Sequence, residues 1–141
     1  MSFFAVSVLL FCFIDTMASP PVIQQAPAFI QVKSGEEARL ECYHGDNSYP
    51  YMLWYQSTVG GRKTMDLIGL LHYENKNPEK GFESRFNLTG HSKGKAWLVI
   101  SDTKPADTAQ YFCAASQHSA LIPVAAAQKH FCSYLACTCK N

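Results

Sequence analysis

Short stretches of alternating apolar and polar residues recur along the chain. In "EEARLECYH" (36–44), Ala38, Leu40 and Cys42 fall on one side of an extended chain, and charged residues stand between them. Because successive side chains of a strand point to opposite faces, this period of two predicts a half-buried β-strand.

Further stretches have the character of short strands and are separated by turn-rich segments. They are "YMLWYQ" (51–56), "DLIGLL" (66–71), "SRFNLTG" (84–90), "KAWLVIS" (95–101) and "AQYFCAAS" (109–116), with a proline-interrupted edge strand at 21–35. No helical period of useful length interrupts them, and the glycine of "DLIGLL" indicates a bulge or a sheet edge. The spacing therefore predicts an all-β sandwich of short antiparallel strands.

Four residues indicate which class of β-sandwich the chain forms. Cys42 and Cys113 fall on inward faces of predicted strands, Trp54 follows the first cysteine by 12 residues, and Tyr111 precedes the second by two. This arrangement resembles that of an immunoglobulin domain. The resemblance implies a disulfide between the sheets, a tryptophan packed on it and a tyrosine at the corner of a strand.

Two charged residues extend this resemblance to variable-type domains. Arg85 opens one predicted strand, and Asp107 lies in the turn before Tyr111. In variable-type domains such a pair forms a salt bridge across the bottom of the sandwich. The interval between the cysteines also has room for extra edge strands near "DLIGLLHYE".

The stretches "LEC", "MLWYQ", "LIGLLHYE", "SRFNLTG" and "AWLVISDTKPADTAQYFCAAS" resemble a T-cell receptor variable segment over residues 20–116. "MLWYQ" followed by "LIGL", together with "RFNLTG", makes the β chain the most similar class. "CAAS" is also found on α chains, so the α class stays open. An immunoglobulin light chain, an innate immunoglobulin-type receptor and a secreted adhesion module are further alternatives.

The resemblance implies recognition rather than catalysis. Such a domain pairs with a second variable domain, here the α chain, and binds a peptide presented by a major histocompatibility molecule. It joins a signalling complex through a constant region. Its hypervariable loops fall at Gly45–Tyr51, at His72–Asn77 and after Cys113, with a fourth loop at 90–95. The expected contact residues are Asn47, Tyr49, Tyr51, His72, Tyr73 and Asn75.

One position departs from the family pattern. Many members carry a glutamine three residues after the strand tryptophan, where it bonds its counterpart in the partner domain. Ser57 stands there in this chain, and Gln56 lies one step earlier. The usual pairing contact is therefore in question, although Tyr55 remains available to pack at the interface.

The two ends of the chain are interpreted separately from the domain at 19–116. The apolar run after Met1 and the small residues that follow it predict a signal peptide at 1–18. No Phe-Gly-x-Gly motif of a joining segment follows Cys113, so the final strand is expected to be missing. His118-Ser119-Ala120 can be encoded by a recombination heptamer, and residues 117–141 are interpreted as unstructured read-through of a germline segment.

Other chemistry is sparse in the sequence. "NLT" makes Asn87 a candidate for glycosylation. The histidines are scattered, Cys132, Cys137 and Cys139 lack the spacing of a zinc site, and no nucleophile–base–carboxylate set can be identified. We therefore expect no enzyme activity, metal or cofactor. The formal net charge of +1 gives no reason to expect nucleic acid as a partner, and the predicted location is the secretory pathway and the outer face of the plasma membrane.

Overall fold

The computed structural model describes residues 21–58 and 64–117, together with the backbone of 133–140. The strands are β1 (Gln24–Ala26), β2 (Phe29–Lys33), β3 (Ala38–Tyr43), β4 (Tyr51–Thr58), β5 (Met65–His72), β6 (Asn75–Pro78), β7 (Phe86–Gly90), β8 (Lys95–Ile100), β9 (Ala109–Ser116) and β10 (Ser133–Lys140). A 3-10 turn at Pro105–Asp107 precedes β9.

The strands form two sheets packed face to face. One has the order β1-β3-β8-β7, and the other has the order β2-β10-β9-β4-β5-β6. Neighbours pair antiparallel except β10 with β2, which run parallel. The prediction of an all-β, variable-type sandwich is confirmed, and β5 and β6 supply the extra edge strands expected between the cysteines.

The bulge that the glycine of "DLIGLL" indicated lies where β4 pairs with β5. The register between them shifts at Trp54 and Tyr55, opposite Gly69 and Leu67. A β-carbon at Gly69 would lie 2.8 Å from the Asn77 carbonyl oxygen of β6. Glycine is therefore required here because the backbones of β5 and β6 approach too closely for any side chain.

The inner faces of both sheets build one core from the predicted inward positions. Its buried members include Leu40, Met52, Trp54, Ile68, Leu71, Phe86, Leu88, Leu98, Ile100 and Tyr111. Removing each large side chain from water contributes roughly 1.5–3 kcal/mol before the cost of ordering the chain.

The prediction that the final strand is missing is wrong for residues 133–140. The segment "SYLACTCK" forms β10, which pairs with β9 on one side and β2 on the other. Strand pairing uses backbone N–H and C=O groups, so it does not depend on a Phe-Gly-x-Gly motif. The expectation of an unstructured tail is therefore corrected for β10, whereas the signal peptide and the candidate heptamer at 118–120 lie outside the described residues.

Candidate recognition surface

The disulfide and its tryptophan form the centre of the sandwich. Cys42 on β3 and Cys113 on β9 are joined across the two sheets, with 6.3 Å between their Cα atoms, which confirms the disulfide. Trp54 is completely buried beside this bond, in the register position opposite Cys113. The frame that carries the loops is thus fixed covalently at its middle.

The end of the sandwich away from the hypervariable loops is held by an ion pair. Arg85 donates from Nη1 to Asp107 Oδ2 at 2.6 Å and from Nη2 to Oδ1 at 2.9 Å. Asp107 also accepts the Lys104 N–H at 2.8 Å, and its carbonyl accepts the Tyr111 hydroxyl at 2.7 Å. Burial pushes the pKa of Asp107 upward, but the bonds from Arg85 and the Lys104 backbone outweigh it and hold the pKa below its usual value.

Three turns meet at the opposite end. Tyr51, where β4 begins, lies opposite both His72, where β5 ends, and Ser116, where β9 ends. The β3–β4 turn, the β5–β6 turn and the root of the third loop therefore lie side by side. These are the positions expected for the first, second and third hypervariable loops.

A buried serine ties the fourth loop to the first two. Ser92 is 0% exposed; its hydroxyl donates to the Pro50 carbonyl and accepts the Tyr73 N–H at 2.8 Å. Its own N–H donates to the Tyr73 carbonyl at 2.9 Å. The resemblance implied only a fourth loop at 90–95, and the sequence gave no signal for this contact because Ser92, Pro50 and Tyr73 are distant along the chain.

A row of rings crosses the same surface, and we call it the aromatic row. The ring of Tyr51 stacks on His72 at 4.3 Å, His72 contacts Tyr73 at 4.5 Å, and Tyr73 meets His91 at 5.8 Å. Lys93 Nζ lies 5.0 Å from the centre of the Tyr73 ring. Such contacts limit the side-chain freedom that would otherwise be lost on binding a ligand.

The predicted contact residues do not all have the same access to solvent. Tyr73 is 39% exposed with a φ of 55°, and Asn47 and Asn75 are also exposed. Tyr51 and His72 are half-buried at strand ends. Tyr49 is only 8% exposed, so its predicted role as a contact residue is not supported. Its ring packs edge-on against His44 at 6.3 Å and supports the first loop from beneath.

His44 is a buried polar residue below the first loop that the sequence did not single out. Its Nδ1 accepts the Asp46 N–H at 3.1 Å, and its Nε2 has no hydrogen-bond partner within the described ranges. Burial lowers the pKa of His44, and the Ser92 backbone and the Asp46 charge offset this only in part. The neutral ring is therefore the form that fits the folded loop.

The outer face of β4, β5 and β9 carries a second apolar cluster, separate from the core. We call it the outer apolar cluster: buried Leu53, Tyr55 and Ala114, with half-buried Tyr51, Leu67, Leu70 and Phe112 around them. Ser57 lies on this face too, whereas Gln56 points inward and donates to the Tyr111 hydroxyl at 3.4 Å. Gln56 therefore does not take the outward place of the usual pairing glutamine.

The glycosylation candidate lies on the other sheet. Asn87 is exposed on β7, and its Oδ1 accepts a hydrogen bond from Lys76 Nζ of β6 at 2.8 Å. Thr89 lies on the same side of the strand, half-buried. Use of this site stays a prediction.

Comparison with known proteins assigns the family. A profile of the immunoglobulin V-set domain matches residues 25–124, so the chain belongs to the immunoglobulin V-set family. Such domains are typically non-enzymatic receptor domains.

Individual relatives come from both kinds of antigen receptor. The chain is 31% identical over 97 residues to the Ig kappa chain V region K-25 of Oryctolagus cuniculus, covering 69% of this chain and 84% of that protein. It is 30% identical over 104 residues to human T cell receptor alpha variable 5, covering 73% and 87%. Identity to human T cell receptor beta variable 2 is 27% over 108 residues, covering 77% and 92%.

Solved structures support the fold. A chain from a structure described as the structural basis of T cell specificity and activation by the bacterial superantigen toxic shock syndrome toxin-1 superposes with a TM-score of 0.68 at 22% identity, covering 85% of this chain and 99% of that one. A chicken T-cell receptor chain superposes with a TM-score of 0.69 at 24% identity, and the match covers 84% of this chain and 50% of that one. The protein is thus a variable immunoglobulin-like domain of the T-cell receptor and immunoglobulin type, and these identities do not single out the β class.

The described residues also bear on metal binding and on membrane crossing. No group of three or more His, Cys, Asp or Glu side chains there could hold a metal ion. Among the helices of that part of the chain, none has the length and apolar character needed to cross a membrane.

Proposed function

We propose that this domain is the antigen-recognition domain of a T-cell receptor chain. It pairs through the outer apolar cluster with a second variable domain and binds a peptide presented by a major histocompatibility molecule. In an assembled receptor it is displayed on the outer face of the plasma membrane and linked to signalling through a constant region. The outer apolar cluster is the observation that carries this proposal.

The physical argument for pairing is that an antiparallel sheet ordinarily has one face on the core and one in water. The sheet containing β4, β5 and β9 already contacts the core with its inner face. Its outer face also carries Tyr51, Leu67 and Leu70, which are half-buried, and transfer of their remaining exposed apolar area from water to a partner surface favours association at roughly 25 cal/mol per Å².

The argument for antigen binding comes from the loop end. The Ser92 hydrogen bonds and the aromatic row hold the first, second and fourth loops in one arrangement. A surface that is ordered before binding loses less entropy when a ligand binds. Tyr73 is the most exposed residue of the aromatic row. We expect it to contact the presenting molecule.

Within T-cell receptors, the motifs "MLWYQ", "LIGL" and "RFNLTG" support the β class. The α class is the second candidate, and it is favoured by "CAAS" and by the 30% identity to the human alpha variable 5 segment. Co-expression with a variable domain of each class distinguishes them. A β-class domain should form a stable heterodimer with an α-class partner and not with a β-class partner.

Antigen binding is tested with Tyr73→Ala in an assembled receptor of known peptide specificity that shares residues 20–115. We expect the dissociation constant for the peptide complex to rise at least about tenfold, as for an interface anchor. Phe29→Ala is the matched control, because Phe29 is a 58% exposed aromatic residue on β2, outside the loop end. Equal affinities for the two variants and the parent would contradict the assignment of Tyr73.

A further inference from the structure

The edges of β9 and β2 form a place where an extended strand can insert. β9 pairs with β4 on one side, and within the described residues its other side is covered only by β10. Within the described residues, β10 is the one strand through which β2 pairs with the six-stranded sheet. Without β10, two rows of backbone N–H and C=O groups in this sheet would lack strand partners.

β10 fits this place along its length. Ala136 lies opposite Gln110 of β9 and opposite Phe29 of β2, and Cys137 lies opposite Ala109 and Ile30. The register runs without a shift on either side, in contrast to the bulge between β4 and β5. The segment contains neither proline nor glycine, so its backbone can donate to both neighbours.

The inner contacts of β2 also depend on this pairing. Ile30 and Val32 are half-buried and pack against the core shared by the two sheets. A strand linked to its sheet through a single neighbour loses its alignment when that neighbour leaves. Loss of β10 would therefore expose part of the core as well as the two strand edges.

We propose that the β9–β2 gap is a strand-acceptor site, filled from within the chain by Ser133–Lys140 in place of a joining segment. With this strand in place, the chain completes its sheet and presents its first, second and fourth loops without a joining segment. The strand that a joining segment supplies in a rearranged receptor would occupy the same site, so the two segments exclude each other. This inference concerns the folding of one domain, and it stands or falls separately from the pairing and antigen proposals.

The first test uses the full chain with Ala136→Pro. Proline removes a backbone donor in the middle of a strand that has neighbours on both sides, and such positions exclude it. We expect the melting temperature to fall by about 5 °C or more. Ala136→Val is the matched control, because it keeps the N–H and favours the extended backbone, and it should melt within about 2 °C of the parent.

The second measurement is hydrogen exchange at single amides, which remains informative if Ala136→Pro folds poorly. In the parent chain, we expect slow exchange for amides of β2 and β9 that face β10. In Ala136→Pro these amides should exchange at least about tenfold faster, while those of β3 and β8 change less. Fast exchange of the β2 amides in the parent, or an unchanged melting temperature in Ala136→Pro, would overturn the proposal.

Discussion

The outer faces of the two sheets differ, although their inner faces share one core. On the sheet formed by β1, β3, β8 and β7, Trp97 lies under Arg39 at 4.8 Å and donates to Glu41 at 3.2 Å. Lys95 Nζ lies 3.0 Å from Glu41. On the other sheet, the corresponding face carries the outer apolar cluster.

The difference indicates which outer face stays in contact with water and which one a partner domain can cover. The charged groups around Trp97 pair with one another and remain in contact with water. In the outer apolar cluster, Tyr51, Leu67 and Leu70 are half-buried, and a partner that covers them removes their remaining apolar area from water. This domain thus has one charged outer face that interacts with solvent and one apolar outer face suited to contact with a second domain.

The largest expected effect is the difference in free energy of unfolding between a core variant and an outer-face variant. Leu98→Ala removes a completely buried side chain of β8, and we expect it to lower the free energy of unfolding by about 2–5 kcal/mol. Val99→Ala, at the next residue, changes a half-buried outer position and should cost less than about 1.5 kcal/mol. Denaturant unfolding of both variants measures the difference, and equal losses would mean that the inner and outer faces are not distinct.

The next effect compares two ion pairs. Arg85→Ala leaves the buried Asp107 without its strongest partner, and we expect a loss of about 2 kcal/mol. Lys95→Ala breaks an exposed pair on the outer face and should cost at most about 1 kcal/mol. Thermal unfolding of the two variants at pH 7 ranks them. If Lys95→Ala were the more destabilising, the outer network would be a major source of stability.

A smaller effect concerns pH and the loop end. The pKa of His44 is lowered in the folded state, so below about pH 6.5 the unfolded chain binds the additional proton more readily. The stability that neutral His44 gives to the folded domain is therefore fully present above pH 6.5, and it is lost as the pH falls through the folded pKa of His44. Protonation also replaces the acceptor at Nδ1 by a donor, which removes the bond from the Asp46 N–H.

His44→Gln should therefore lose less stability than the parent when the pH is lowered from 7.5 to 5.5. The readout is the change in melting temperature between the two pH values, which is separate from any loss at neutral pH. His91→Gln is the matched control at a half-buried position of the same end. A parent chain with the same melting temperature at both pH values would show that His44 does not couple to folding.

Sequence patterns predicted what depends on alternation and on local chemistry. The buried positions of β3 and β8 could be found in this way, whereas the disulfide and the loop end followed from the resemblance to variable domains. Ser92 and His44 could not, because their burial depends on turns that are distant in sequence and meet only in the fold. β10 was missed because a motif was expected where backbone pairing was sufficient.

The inward direction of Gln56 has a similar explanation. Its place one residue before Ser57 puts it on the core side of β4, where the Tyr111 hydroxyl is its partner. Alternation along "MLWYQ" predicts that Gln56 faces the core, but the sequence does not show which polar group is its hydrogen-bond partner there. Contacts between positions distant along the chain are the part of the fold that this pattern leaves open.

We propose that the outer apolar cluster, and not the charged outer face, binds a second variable domain. The most direct test measures the dissociation constant of the heterodimer for Leu70→Lys and for Val99→Lys. Each variant places a lysine at a half-buried apolar position on the outer face of one sheet. We expect Leu70→Lys to weaken pairing at least about tenfold, and Val99→Lys to leave it within about twofold of the parent. Equal effects of the two variants, or a larger effect of Val99→Lys, would contradict it.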